Sequence, residues 1–158
     1  MKPEVEKLIL VRPGVDTDHN FIFATWLRGL YYGCAFYRQT EKQKFMEVYS
    51  RVVQNVLFKP GVELKIVCLK EDHDTIIGYS ITEEVADLNI LHWVFIKPEW
   101  RKCGVSKALI PETTNVVTHI VDSMLKIKRE DKAKSDRYLS CYEVKLKNKK
   151  FRFDPFLI

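Results

Sequence analysis

The spacing of hydrophobic residues divides the first part of the chain into one short strand and two amphipathic helices. Residues 7–11 form an apolar run that predicts a strand, and an Arg-Pro-Gly turn signal ends it. Residues 23–30 repeat apolar side chains at helical spacing, and Gly33 marks the end of that helix. A second, longer helix is predicted after Thr40, which forms a capping-box pattern with Gln43 and precedes a long apolar face.

The middle of the chain predicts three consecutive strands. Residues 62–68 alternate apolar and polar side chains, as a half-buried strand does, and residues 76–82 predict a further strand. Residues 88–96 are apolar nearly throughout, and a strand that is apolar on both faces is covered on both. We therefore expect residues 88–96 to form a central strand. Pro98 lacks the backbone donor of a sheet ladder, so this strand must end before it.

The pattern after the central strand is shorter and less regular. Residues 105–113 predict a helix whose length is limited by Pro111, and residues 115–124 predict a fifth strand parallel to the central one. A helix around residues 135–144 and a last strand around residues 150–153 complete the order. This order predicts an α/β (α+β) fold, in which a mixed, mostly antiparallel central sheet is flanked by helices and contains a parallel strand pair.

Composition and cysteine spacing narrow the class of protein. A chain of 158 residues with 46% hydrophobic and 30% charged residues predicts a single domain covering residues 1–158. No apolar run approaches the roughly 20 residues that span a bilayer, and the N-terminus lacks a signal-peptide pattern, so we expect a cytoplasmic protein with no membrane partner. The cysteines and histidines are scattered without metal-ligand spacing, which predicts no metal and no disulfide.

Positive charge is concentrated near the C-terminus. The net charge is +5, and residues 126–152 contain eleven lysines and arginines against four aspartates and glutamates. Such a segment attracts nucleic acid, an acidic protein or the phosphate of a coenzyme. It is equally compatible with a solvated, lysine-rich surface that has no partner.

The stretch that follows the central strand carries the clearest motif. A strand, a glycine-containing turn and a helix direct several backbone N–H groups at one point, where a phosphate can bind. The segment resembles motif A of the GCN5-related N-acetyltransferases (GNAT), with Ile96 in the Val place, Pro98 in the Pro place, Arg101 as the basic start, Gly104 as the first Gly and Ser106 as the final small residue. Serine departs from the family's Gly or Ala.

This resemblance covers residues 91–110 in specific letters and most of the chain in the order of its elements. The closing residues 151–158 and the Thr-Trp-Leu-Arg run at residues 25–28 also resemble small acetyltransferases encoded by bacteriophages. The resemblance implies an acetyl-CoA-dependent N-acetyltransferase in which an amine of a small molecule or protein attacks the thioester directly. The implied cofactor-binding residues are Phe95, Ile96, Arg101, Lys102, Cys103, Gly104, Val105 and Ser106.

Four residues are candidates for proton transfer. His92 lies on the strand that would carry the acyl group, and its imidazole titrates near neutral pH, which suits a general base; the alternative is a hydrogen-bonded core histidine. Glu84, with Glu83 beside it, is a second candidate base acting through water, or else a solvated carboxylate. Tyr142 and Tyr138 are the candidate acids for the departing thiolate by resemblance to the family; either could instead pack in the core.

The acceptor site is expected between the first two helices and at the loop between the final strands. The inter-helix segment there is aromatic and contains one charge; its residues are Tyr31, Tyr32, Phe36, Tyr37 and Arg38. Such aromatics are also typical of a core, so they do not identify the acceptor.

Two alternative functions stay open on the sequence. The first is an RNA-associated relative that acetylates aminoacyl-tRNA and binds it through the basic C-terminal segment. The second is a non-catalytic module that keeps the fold and binds a partner, such as a host protein in the host cytoplasm if the source is viral.

Overall fold

The computed structural model describes residues 1–122, 143–146 and 149–158. In these residues seven strands form one sheet in the order β1-β2-β3-β4-β5-β7-β6. The strands are β1 (Ile9–Pro13), β2 (Val62–Leu69), β3 (Ile76–Val85), β4 (Leu88–Ile96), β5 (Val116–Val117), β6 (Glu143–Leu146) and β7 (Lys149–Phe153). The helices are α1 (Pro3–Leu8), α2 (His19–Gly33), α3 (Lys42–Leu57) and α4 (Ser106–Leu109).

The sheet is mixed, as predicted. Strands β1 to β4 pair antiparallel in sequence order, whereas β4 pairs parallel with β5. A second parallel pair joins β5 to β7, and β6 and β7 pair antiparallel. The predicted fold class, a mostly antiparallel sheet with a parallel pair beside the motif, is therefore confirmed.

Helices cover the sheet on both faces, which explains why β4 is apolar nearly throughout. On one face α2 and α3 bury Trp26, Leu30 and Val53 against β2, β3 and β4. On the other face α1 and α4 bury Val5 and Leu109 against β2 and β3. The central position predicted for residues 88–96 is confirmed, because β4 lies between β3 and β5.

Two boundaries at the start of the chain differ from the prediction. The predicted strand at residues 7–11 begins too early, because residues 7 and 8 end α1 and β1 runs from Ile9 to Pro13. Pro3 at the first helical positions and acidic residues in the first turn favour this helix. The predicted capping box is also wrong, since α3 begins at Lys42 with Glu41 as its N-cap.

The elements after β4 are shorter than predicted. Helix α4 spans four residues where residues 105–113 were expected, and Pro111 follows soon after its end. Strand β5 spans two residues where residues 115–124 were expected. The chain then leaves the sheet and packs on α2: Val121 lies against Gly33, and the Asp122 carboxylate accepts a hydrogen bond from the Ala35 N–H.

The remaining predictions concern the end of the chain, and the described residues test only some of them. Most of the helix expected around residues 135–144 lies outside the described residues, and its last two residues instead belong to β6. The last strand is confirmed as β7, which begins one residue earlier than expected. Most of the basic segment at residues 126–152 lies outside the described residues as well.

A bulge in β4 decides the position of His92. Ile81 of β3 pairs with Trp93, but the next residue, Thr82, pairs with Leu91. His92 is therefore an additional residue in β4, opposite no partner of its own in β3. A bulge re-aims the side chains beside it, and here it allows His92 to contact both β3 and the segment after β5.

Candidate functional site

The turn after β4 contains two residues in the left-handed region. A short 3-10 turn, Pro98–Trp100, is followed by Lys102 and Gly104 with φ values of 63° and 90°. Val105 returns to right-handed helical geometry, with φ −54° and ψ −34°. Alternation between left- and right-handed residues turns successive N–H groups toward one point and forms a concavity that binds anions. The motif therefore folds into a turn able to bind phosphate.

Within the described part of the chain, the N–H groups of residues 102–105 make no hydrogen bond of good geometry to a protein acceptor. Backbone donors of this kind bind water or a ligand. The side chains of Arg101, Lys102 and Lys107 are exposed around the turn, so positive charge surrounds the donors. Donors and charge both fit the diphosphate of coenzyme A.

The N-terminal segment closes one side of the turn. The backbone N–H of Lys2 donates to the carbonyl of Cys103 at 3.1 Å. A Cβ built on Gly104 would lie 2.6 Å from the Cα of Met1. Gly104 is therefore required both by its positive φ and by this contact, and an anion must reach the N–H groups from the side away from Met1.

Other residues of the predicted cofactor set support the turn from within. Phe95 packs against Phe21 and Tyr79, with ring centroids at 5.9 and 5.7 Å. Val105 is buried in the core beneath the turn. The Arg101 Nε donates to the carbonyl of Ile96 at 3.0 Å, which holds that side chain back against the end of β4. The side chains of Phe95 and Val105 are thus structural, and only their backbone faces a ligand path.

The strands β4 and β5 separate soon after they meet. Their parallel pairing covers two residues of each strand and ends at Leu91. The N–H of Thr118 still reaches the carbonyl of Leu91 at 3.2 Å, and the next contact comes from a side chain, with His119 Nδ1 3.1 Å from the carbonyl oxygen of His92. Among the described residues, residues 93–96 have no strand partner on this side.

A buried chain of polar side chains crosses the middle of the sheet. Lys59 Nζ lies 2.9 Å from Glu83 Oε2, and the same oxygen lies 3.0 Å from His92 Nε2. His92 Nδ1 lies 3.1 Å from Thr118 Oγ1, which lies 2.9 Å from His119 Nδ1. His92 is fully buried, and both of its ring nitrogens are in hydrogen bonds.

One arrangement of protons gives each hydrogen bond of this buried chain of side chains a donor and an acceptor. Glu83, paired with Lys59, accepts from His92 Nε2, so a neutral His92 accepts the Thr118 hydroxyl proton at Nδ1. Thr118 Oγ1 is then free to accept from the Nδ1–H of His119. Burial lowers the pKa of His92, against the opposing effect of Glu83. Burial lowers the pKa of His119 to about 3, so both imidazoles are neutral near pH 7.

His92 cannot touch a substrate directly, whereas its carboxylate partner faces a cavity. Glu83 is buried but lines a cavity of about 270 Å³, and the exposed Glu84 lies at the same cavity. The structure therefore brings His92, Glu83 and Glu84 to one place. Tyr138 and Tyr142 lie outside the described residues.

The expected aromatic acceptor segment packs mainly against α3. Tyr31 and Tyr37 contact Phe45 with ring centroids at 5.1 and 5.2 Å, and the hydroxyls of Tyr37 and Tyr49 are hydrogen bonded. Burial raises the pKa of Tyr37. Tyr31 and Tyr37 are thus part of helix packing, whereas Tyr32 and Phe36 are exposed.

Sequence reasoning did not find three members of the buried chain. Lys59, Thr118 and His119 lie 24 to 36 residues from Glu83 and carry no motif. The antiparallel pairing of β3 with β4, the bulge and the short β5 bring them together. The one local indication in the sequence was His92, a histidine within an otherwise apolar strand centre.

Comparisons with known proteins concern the fold. No family model matches the chain. No curated protein matches it at a significant level. Among solved structures, a candidate acetyl transferase from Pyrococcus furiosus superposes with a TM-score of 0.58 at 10% identity, covering 88% of this chain and 98% of that one. The fold is that of the GCN5-related N-acetyltransferases.

Two further GNAT-fold matches have lower scores. A possible acetyltransferase from Clostridium difficile 630 has a TM-score of 0.48 at 14% identity, over 88% of this chain and 98% of that one. A GNAT family acetyltransferase from Staphylococcus aureus has a TM-score of 0.41 at 17% identity, over 64% of this chain and 71% of that one. At these identities the likeness concerns the GNAT fold alone.

The described residues contain neither a membrane-spanning helix nor a cluster of metal ligands. No described helix is long and apolar enough to cross a membrane. The described histidines, cysteines and carboxylates include no group of three placed to hold a metal ion.

Proposed function

We propose that this protein transfers the acetyl group of acetyl-CoA to an amine. The GNAT fold supports the proposal at the level of architecture, because the strand-turn-helix motif and the separating strands β4 and β5 occur together in it. The observation that carries the proposal is the turn at residues 102–105, whose four successive N–H groups make no hydrogen bond of good geometry in the described part of the chain.

The residues of the turn fit the diphosphate of coenzyme A. The N–H groups of residues 102–105 would donate to its oxygens, and the side chains of Arg101, Lys102 and Lys107 would balance its charge. Ser106 and the end of β4, Phe95 and Ile96, would border the same path. Acetyl-CoA supplies the acetyl group as a thioester, so a neutral amine forms the C–N bond while the C–S bond breaks and the thiol leaves with the amine's second proton.

The buried chain supplies the proposed proton acceptor. Burial lowers the pKa of His92, and the neighbouring Glu83 carboxylate opposes this effect. Because Nε2 of the neutral His92 already donates to Glu83 and Nδ1 accepts from Thr118, the proposed acceptor of the amine's proton is the Glu83 carboxylate, which His92 and Lys59 position. Glu84 would act through water at the cavity mouth, and Tyr138 or Tyr142 would protonate the thiolate.

Acetyl-CoA binding is the first test, measured by calorimetry and by the melting temperature. A ligand at one hundred times its Kd stabilises the folded state by about 2.7 kcal/mol, which raises the melting temperature by several degrees. We expect Gly104→Glu to abolish this shift, because a carboxylate would enter the anion site. Gly61→Glu is the matched control, with a similar φ of 87° and the same added charge far from the turn. Equal binding by both variants would refute the site.

The alternative functions are separated by further measurements. If acetyl-CoA binds but no amine in a panel releases thiol, the non-catalytic module becomes the better explanation. An RNA-associated function would make binding fall steeply with salt, and it depends on a basic segment that is mostly outside the described residues. A bacteriophage source and a cytoplasmic location stay predictions of the sequence alone.

A further inference from the structure

A cavity lies at the start of β4, at the opposite end of that strand from the motif turn. Its volume is about 270 Å³, close to the lower end of the roughly 300–1,000 Å³ of ligand pockets. This volume equals about nine water molecules at roughly 30 Å³ each in the liquid. The cavity therefore suits a small molecule. It is lined by Gly61, Glu63, Thr82, Glu83, Glu84, Asn89, Ile90, Pro111, Thr113 and Thr114.

Two buried hydroxyl groups in the wall of the cavity have no hydrogen-bond partner among the described residues. Thr82 and Thr114 are 8% and 2% exposed, and in the described part of the chain neither side chain makes a hydrogen bond. The described side-chain polar atoms that are both closed off from solvent and without a hydrogen-bond partner do not include these two hydroxyls. Both hydroxyl oxygens are therefore open to the cavity. A hydroxyl that is largely buried without a partner costs free energy unless a water or a ligand pairs with it.

The charge of the cavity wall is negative. Three carboxylates line it, and none of the lining residues is a lysine, arginine or histidine. Lysines from outside the lining pair with two of them: Lys59 with Glu83 at 2.9 Å, and Lys65 with Glu63 at 3.7 Å. Glu84 has no ion-pair partner among the described residues, and His92 behind Glu83 is neutral near pH 7 because burial lowers its pKa. One negative charge is left uncompensated.

We propose that this cavity binds a small primary ammonium ion, with the Glu83 and Glu84 carboxylates balancing its charge and the Thr82 and Thr114 hydroxyls accepting its N–H groups. An ammonium group has three donors and no acceptor, which matches a wall of carboxylate and hydroxyl oxygens. The cavity, rather than the aromatic segment between α2 and α3, then supplies the acceptor amine.

The role as acceptor site rests on the proposed acetyl transfer. Glu83 lines the cavity and accepts the Nε2–H of His92 at Oε2, so its other oxygen, Oε1, takes the first proton of the bound ammonium while the His92 hydrogen bond is kept. The proton then returns to solvent through the cavity mouth. The neutral amine that remains is the nucleophile, since an ammonium nitrogen has no lone pair to form a bond.

The test is a titration of the purified protein in the absence of acetyl-CoA, in which binding is monitored by ligand-detected NMR. The probes are n-butylammonium and butan-1-ol, which have nearly the same shape and differ in charge. We expect n-butylammonium to bind at least tenfold more tightly than the alcohol. Equal binding of the two probes, or binding of neither, would overturn the proposal.

Two variants locate the binding in this cavity. Thr114→Val removes a hydroxyl that makes no hydrogen bond within the described residues, so the fold should lose no hydrogen bond while ammonium binding weakens three- to tenfold. Glu83→Gln keeps an acceptor for His92 Nε2 and should weaken binding about tenfold. Glu47→Gln, an exposed carboxylate on α3, is the control for surface charge. Unchanged binding by Thr114→Val and Glu83→Gln would place the ammonium elsewhere and refute the proposal.

A second measurement separates this inference from the proposed function. If the amine binds as expected but no thiol is released after acetyl-CoA is added, the acetyl transfer fails and the ammonium site stands. If thiol is released from amines whose KM does not change in Thr114→Val, the acetyl transfer stands and this cavity is not the acceptor site.

Discussion

The two ends of β4 carry different kinds of chemistry and were found in different ways. At its C-terminal end, a contiguous motif forms a turn whose N–H groups of residues 102–105 are unpaired in the described part of the chain. At its N-terminal end, side chains from five separate segments form a buried polar chain and a cavity. The motif end uses the backbone, so a few glycine and proline positions define it. The cavity end uses side chains, so only folding assembles it.

The comparison suggests that the two ends of β4 are suited to ligand groups of opposite charge. We propose that backbone donors at the motif end bind an anionic cofactor and that carboxylates at the other end bind a cationic acceptor. Three pairs of substitutions test the two ends separately.

The largest expected effect concerns the buried histidines at the cavity end. The pKa of His119 falls to about 3 in the folded state, against about 6.5 when unfolded. Between these values the unfolded chain binds a proton that the folded chain does not, so stability falls as the pH falls. At pH 5 the loss is about 2 kcal/mol relative to pH 7.5.

His119→Asn should remove most of this pH dependence, because the amide can still donate to the His92 carbonyl but does not titrate. Urea unfolding at pH 7.5 and at pH 5 measures the effect. His73→Asn, at an exposed position, should keep the slope of the original chain. An unchanged slope in His119→Asn would mean that His119 is protonated or accessible in the folded state. His92, whose pKa is also lowered by burial, should account for the slope that is left.

The next effect concerns Gly104 at the motif end. Gly104→Ala and Gly61→Ala both place a Cβ at a φ near 90°, which costs roughly 1–2 kcal/mol. A Cβ at Gly61 meets nothing within 4 Å, whereas a Cβ at Gly104 would lie 2.6 Å from the Cα of Met1. We expect Gly104→Ala to cost about 1 kcal/mol more, because Lys2 would lose its hydrogen bond to Cys103.

Chemical denaturation of the two alanine variants measures that difference. If both lose the same free energy of unfolding, the contact with Met1 contributes nothing to stability, and the N-terminal segment does not hold the turn closed. A larger loss in Gly61→Ala would contradict the packing around Gly104 directly.

The smallest effect concerns the two residues other than glycine that have a positive φ among the described residues, one at each end of β4. Ala86 in the β3-β4 turn has a φ of 51°, and Lys102 in the motif turn has a φ of 63°. Ala86→Gly and Lys102→Gly should each relieve strain and stabilise the fold by up to about 1 kcal/mol.

Acetyl-CoA affinity then distinguishes the two glycine variants. Lys102→Gly keeps the backbone N–H, so affinity should fall by less than tenfold if the N–H groups carry most of the binding. Ala86→Gly should leave affinity unchanged. A loss of more than a hundredfold in Lys102→Gly would show that the side-chain charge, rather than the turn, binds the phosphate.

The sequence predicted the elements well where one periodic pattern decided the outcome. Strand β4 has the predicted limits, because both of its faces are apolar and Pro98 ends it. The sequence predicted the elements poorly where tertiary contacts compete with local preference. Helix α4 stops after four residues, and the short β5 gives way to a segment that packs Val121 onto Gly33 of α2.

What the sequence by itself determined was the order of elements from β1 through α2, α3, β2 and β3 to β4, together with the glycine-containing turn after β4, but not α1 or β6. Periodicity, proline and glycine act through neighbouring residues of the backbone, so they predict such local features. Only the tertiary structure decided that His92 is an additional residue in a bulge, paired with Glu83 and closed off from solvent. Nor could a linear pattern reveal the cavity that Glu83 lines. A bulge and a cavity depend on how distant segments pair and pack, and these long-range contacts have no signature in the spacing of residues along one chain.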